Sequence, residues 1–245
     1  MKFYFIGGLG SNKNHMSEFA RCFSFPITYL NPYKVKLESA KDLVDWFEAH
    51  ADSNENTCII AHSLGGDLAR YLASKMPQIT HLVLLDGGYL DMDQILPLEQ
   101  EIEETIAHLK QQVFSSLEEA VASELGDTDN PSQAAIKAIQ SSYRLNPDLH
   151  HYELDLDPQA VLSLLRVRRE LRSFQAPLTD TKALFIGPKY EEEPDWRTRA
   201  LENLDPSIMK VLLKDLGHDF YTAVPNLVSK EIINWLQICS QITYI

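Results

Sequence analysis

The 245-residue chain is short of positive charge. Its 22 Lys and Arg stand against 35 Asp and Glu, a formal net charge of −13. Nucleic acid and anionic membrane surfaces repel such a chain, which excludes both as expected partners. Cysteine is scarce too. Cys22, Cys58 and Cys239 are odd in number, far apart and set among apolar residues. They offer neither a disulfide framework nor zinc-ligand spacing, and they imply buried reduced thiols in a cytoplasmic protein with no metal. No segment approaches the roughly 20 apolar residues of a membrane helix. "MKFYFIGGLGSN" is not expected to be a signal peptide, because Phe3–Ile6 is too short for an h-region and runs into glycines. Internal repeats and low-complexity tracts are also missing. An apolar fraction of 44% remains, enough for one sizeable core or a core plus an insertion.

Short β-rich runs alternate with helical patterns. "KFYFI" (2–6), "ITYL" (27–30), "TCIIA" (57–61), "HLVLLD" (81–86), "KALFI" (182–186) and "MKVLLK" (209–214) read as strands. Helices are expected near 14–22, over "ESAKDLVDWFEAHA", over "GDLARYLASK" and at about 226–238. This order implies parallel βαβ units in a three-layer α/β/α sandwich. Residues 91–178 break the rhythm and show no convincing strand. "EQEIEETIAHLKQQVFSSLEEAVASEL" spaces Ile102, Ile106, Leu109, Val113, Leu117, Val121 and Leu125 as one face of an amphipathic helix or bent pair. "NPSQAAIKAIQ" and "DPQAVLSLLRVRREL" each open with a cap and a Pro at the first helical position. The segment reads as a helical cap inserted into a core made of 1–90 and 179–245. It carries 16 acidic and 7 basic residues, a net −9 of the chain's −13. The outer face of a lid accounts for that charge.

"AHSLGG" follows a strand and opens a helix. A serine on so sharp a corner needs a positive φ and small neighbours, here Ala61 and Gly65, and this is the nucleophile-elbow pattern. An ordinary serine N-cap would explain Ser63 alone, but not the small residues on both sides. A neutral serine needs a base, and His218 lies in a loop between the last strand and the last helix, at the same edge as Ser63. The side chain of His62 is expected to point away from Ser63. An oxyanion needs fixed donors: the N–H of Leu64 directly after the serine, and that of Leu9 in the "GGLGS" turn. "GGLGSNK" lacks the spacing of a phosphate-binding loop. The acid comes either from Asp86, at a strand end followed by two glycines, or from the loop with Glu191, Glu192, Glu193 and Asp195. Asp86 is favoured because a strand end fixes geometry better than a loop, with Glu191 as its rival.

On "AHSLGG", "GGLGS" and the "GHDFYTAVP" ending, the core resembles the α/β-hydrolase superfamily, and the order Ser63, acid, His218 agrees with it. The resemblance implies a sheet of about six strands lacking the family's first two. It places Tyr190 where the family usually carries its acid, while Asp86 matches another acid position known in the superfamily. The implied activity is a serine hydrolase for a small ester or thioester, working without a cofactor on a small-molecule substrate, as a monomer or homodimer. C–C bond hydrolysis or lyase chemistry on the same fold, and a non-catalytic binding protein, are the alternatives. An acidic cap disfavours anionic acyl carriers such as coenzyme A, unless Arg166, Arg168, Arg169 and Arg172 form a basic patch.

Overall fold

The computed structural model describes residues 1–52, 55–126 and 131–241. In chain order the elements are β1 (Lys2–Ile6), α1 (Ser17–Arg21), β2 (Thr28–Leu30), α2 (Ala40–His50), β3 (Thr57–His62), α3 (Leu64–Lys75) and β4 (Ile79–Leu85). There follow α4 (Leu98–Gln111), β5 (Val113–Phe114), α5 (Leu117–Leu125), α6 (Gln133–Gln140), β6 (Tyr143–Asn146), β7 (His151–Leu154) and α7 (Pro158–Leu171). The chain ends with β8 (Lys182–Lys189), α8 (Asp195–Glu202), β9 (Met209–Lys214), α9 (Phe220–Ala223) and α10 (Pro225–Gln241).

Six strands form one parallel sheet in the order β2-β1-β3-β4-β8-β9. Both faces of its centre are buried, so these strands read as continuous apolar runs. The side-chain period of two still sorts them. Tyr4, Ile6, Ile59, Ala61, Leu82, Leu84, Ala183 and Phe185 face a core closed by α2, α3 and α7. Phe3, Phe5, Cys58, Ile60, Val83, Leu85, Leu184 and Ile186 face the other core, closed by α1, α9 and α10. Each large side chain buried here is worth about 1.5–3 kcal/mol against exposure. The outcome is the expected α/β/α sandwich. Among the described residues no helix is long and apolar enough to cross a membrane.

Residues 91–178 differ from expectation in one respect: they contain strands. β5, β7 and β6 make a small antiparallel sheet, with Phe114, Ala120 and Tyr143 at the centre of a separate cluster. The expected amphipathic face breaks at Gln112, where Val113 leaves the helix to pair with Glu153 and stands exposed. The cap of α7 is Asp157, with Pro158 as first helical residue. For α6 the cap is Ser132, which accepts from Ala135 N–H at 3.1 Å; Pro131 precedes it, and Asn130 lies outside the described residues. Cys58 and Cys239 are buried thiols, whereas Cys22 is only partly buried.

Candidate active site

Ser63 occupies the corner between β3 and α3 with φ 53° and ψ −128°. A non-glycine residue held there costs roughly 1–3 kcal/mol, so the surrounding packing must impose it. Ser63 stands at the N-cap position of α3, yet its side chain caps nothing, and its Oγ has no hydrogen-bond partner among the described residues. The hydroxyl is therefore free in front of a helix N-terminus, whose first N–H groups lack intrahelical acceptors. Leu64 contributes the first of these. Gly65 makes the corner possible, since a Cβ there would collide with the carbonyl oxygens of Ile6 and Gly7. The turn after β1 approaches Ser63 as closely: a Cβ on Gly8 would lie 2.9 Å from Ser63 Cβ. Ser11 N–H donating to Gly8 O at 3.0 Å closes this turn and leaves the Leu9 N–H outside its own bond.

Asp86 caps β4, also at positive φ (46°), a conformation that Asp tolerates better than most residues. It is buried, and both carboxylate oxygens are occupied. His218 Nδ1–H donates to Oδ2 at 2.8 Å. Tyr89 Oη and Arg197 Nη2 both donate to Oδ1, each at 3.1 Å. Burial works to raise the Asp86 pKa, but the His218 hydrogen bond and charge, with Arg197, outweigh it and hold the carboxyl below its ordinary value. His218 is pulled the other way. Burial lowers its pKa, yet the hydrogen bond and charge of Asp86 prevail and raise it above 6.5. The pair is thus an imidazole made more basic by a fixed carboxylate.

The structure brings Asp86 to His218 and leaves Glu191 exposed. The acidic loop plays a different part. Arg197, on α8, is buried. Its Nη1 donates to both Glu193 carboxylate oxygens at 2.7 and 2.6 Å, and its Nη2 donates to Pro188 O at 2.8 Å. Tyr190 lies against the guanidinium, 4.9 Å from ring centroid to Cζ. The loop therefore delivers a cation to Asp86 rather than an acid to His218.

His62 was not expected in the site. Its ring lies 4.6 Å from the His218 ring, and its Nε2–H donates to His218 O at 3.1 Å. Burial first, then the His218 charge, lowers its pKa to about 4, so it stays neutral and pins the His218 backbone. Ser63 and His218 are not hydrogen-bonded to each other; such bonds commonly tighten only when substrate is bound. Three residues escaped the sequence reading: Tyr89, His62 and Arg197. One signal was available, the Glu193–Arg197 spacing of four on a helix start.

No protein-family signature matches the sequence, and no curated protein is detectably similar to it. Solved structures are similar in fold. An E-2-(acetamidomethylene)succinate hydrolase superposes with a TM-score of 0.75 at 17% identity, over 96% of this chain and 91% of that one. The peroxisomal α/β-hydrolase Lpx1 of Saccharomyces cerevisiae gives 0.68 at 14%, over 96% and 75%. A thioesterase domain from the curacin biosynthetic pathway gives 0.66 at 13%, over 95% and 90%. With its parallel six-stranded sheet and its serine corner between β3 and α3, the chain has the α/β-hydrolase fold.

Proposed function

We propose that the protein is a serine hydrolase that cleaves a small ester or thioester through an acyl-enzyme on Ser63. The observation that carries this reading is the 2.8 Å bond from His218 Nδ1 to Asp86, at the same sheet edge as a strained serine whose hydroxyl caps nothing. In the first half-reaction Ser63 Oγ attacks the carbonyl carbon and His218 Nε2 takes its proton. Asp86 holds the imidazolium, while the Leu9 and Leu64 N–H groups receive the oxyanion. Collapse breaks the bond to the alcohol or thiol, which leaves with the proton from His218. Water, deprotonated by His218, then attacks the acyl carbon and frees the carboxylic acid and Ser63.

Residues 91–178 act in this reading as the cap over the site. Asn12, just beyond the Leu9 turn, donates through Nδ2 to Ser142 Oγ at 2.8 Å and to Ala138 O at 3.1 Å. Substrates with little charge are favoured. Arg168 and Arg169 are spent inside the cap on Glu101, and Arg169 also on Asp93 at 2.8 Å, so they form no basic patch for an anionic carrier. The test is labelling with a fluorophosphonate probe. Folded protein should label on one site, and Ser63→Ala should abolish it; an unlabelled wild-type protein would remove the hydrolase reading in favour of a binding protein on this fold. Activity on p-nitrophenyl esters of graded chain length then reads the acyl size.

A further inference from the structure

A cavity of about 350 Å3 opens on the α3 side of the sheet, between the segment after β4 and α8. It lies at the small end of the about 300–1,000 Å3 typical of ligand pockets. Ser63, His218, Leu9 and Leu64 do not line it. Its walls include Tyr89, Phe174 and Trp196, with Arg70 on α3 and Arg199 on α8. Arg70 is the unusual member, because it is only 3% exposed. Its Nη1 donates to Gly88 O at 2.9 Å, its Nε is sealed in the interior without a partner, and its Nη2, which is not sealed in this way, makes no hydrogen bond among the described residues. The nearby carboxylates do not supply one. Asp67 accepts from Ser173 Oγ, Asp205 from Ser207, and Asp91, which also lines the cavity, from Gln94 Nε2. A buried guanidinium nitrogen without an acceptor is costly, and a planar carboxylate is the acceptor whose shape fits it.

We propose that this cavity is a second binding site, for a small aromatic carboxylate whose acid group meets Arg70 and whose ring lies among Tyr89, Phe174 and Trp196. The site is independent of the hydrolase reading. The Tyr89 hydroxyl that donates to Asp86 belongs to one of its wall residues, so an occupant sits one residue from the candidate acid.

The experiment is titration of the intact protein with benzoate, and with benzamide as its neutral counterpart, by calorimetry and by following the tryptophan indole N–H resonances. Benzoate should bind one to one and shift the Trp196 signal, assigned with Trp196→Phe, while Trp46 and Trp235 stay in place. Benzamide should bind about tenfold to a hundredfold more weakly, the worth of a charge-assisted hydrogen bond. Arg70→Met should lose benzoate by the same factor. Because that change is buried, Ala200→Phe, which fills the cavity from α8 and leaves Arg70 in place, should lose binding as well. No binding of either would mean a water-filled cavity only, and equal affinity for benzoate and benzamide would leave the Arg70 charge out of the recognition; each result overturns the proposal. A benzoate-induced shift at the His218 imidazole without one at Trp196 would put the ligand in the catalytic crevice and overturn it too.

Discussion

Asp86 has no free carboxylate oxygen: His218 takes one, and Tyr89 and Arg197 share the other. In the proposed mechanism Arg197 is therefore a positioning residue with an electrical effect on His218, the proposed base. Its charge helps keep Asp86 ionised and also lowers the His218 pKa against the pull of Asp86. The proposed reaction needs neutral His218, so its rate should rise with pH through the His218 pKa. Arg197→Met removes one lowering influence on His218, and the acid limb of kcat/KM should move to higher pH. The fold should also weaken, by about 3–5 kcal/mol in urea denaturation, because Glu193 and Asp86 lose their buried partner. An unmoved acid limb in a folded variant would place Arg197 outside the electrostatics of the base. The corner that holds Ser63 and the loop that holds His218 were legible in the sequence because their signals are local: small residues around a strand-to-helix corner, and a Gly-His loop after a strand. Arg197 was not, since it reaches Asp86 across 111 residues of chain, and no spacing rule spans such a distance.

Between elements, the main coupling to the site runs from α6 to the turn after β1. Asn12 Nδ2 ties that turn to Ser142 and Ala138, and Asn14 Nδ2 reaches Ser141 Oγ at 2.7 Å. The same turn carries Leu9, so the segment 91–178 and the expected oxyanion donor share one set of hydrogen bonds. Asn12→Ala removes three of these, since Ser141 Oγ–H also donates to Asn12 Oδ1 at 3.3 Å, together with the Asn14 N–H bond to the same oxygen at 2.8 Å, each worth about 0.5–1.5 kcal/mol. If segment 91–178 caps the site as proposed, substrate held between it and this turn should bind more weakly, and KM should rise several-fold with a smaller change in kcat. Steady-state kinetics on a p-nitrophenyl ester separates the two. The core strands could be read because β-branched and aromatic runs were bounded by turns. The strands β6 and β7 could not be read as easily: they are four residues each, and their apolar members, Tyr143, Leu145, Tyr152 and Leu154, are split by the turn around Pro147. Their alternation was the available signal, and helical spacing nearby masked it.

Over the whole molecule, the sheet separates two cores, and His62 sits where the second of them meets the site. Cys58 and Ile60 share its face of β3, and the Tyr221 ring lies 4.8 Å from its own. Asp219 Oδ1 stands 3.7 Å from Nε2, the one carboxylate within ion-pair distance among the described residues, and it does not offset the burial. The pKa of His62 is about 4 in the fold against an ordinary 6.5. Between those values the unfolded chain binds a proton that the folded chain refuses, so stability rises with pH across this window. The contribution is complete above 6.5 and is lost as pH falls toward 4. His15 and His81, lowered by burial too, add to the same slope. His218 works on the other side of 6.5: its raised pKa gives stability that is full at low pH and disappears as pH climbs through it. Urea denaturation from pH 7 down to pH 4 should therefore show the unfolding free energy falling by a few kcal/mol before the carboxylates titrate. His62→Asn should flatten that fall even though it lowers stability at pH 7, because the amide can donate to the His218 carbonyl but takes up no proton. An equally steep fall in His62→Asn would assign the acid sensitivity to the other buried histidines.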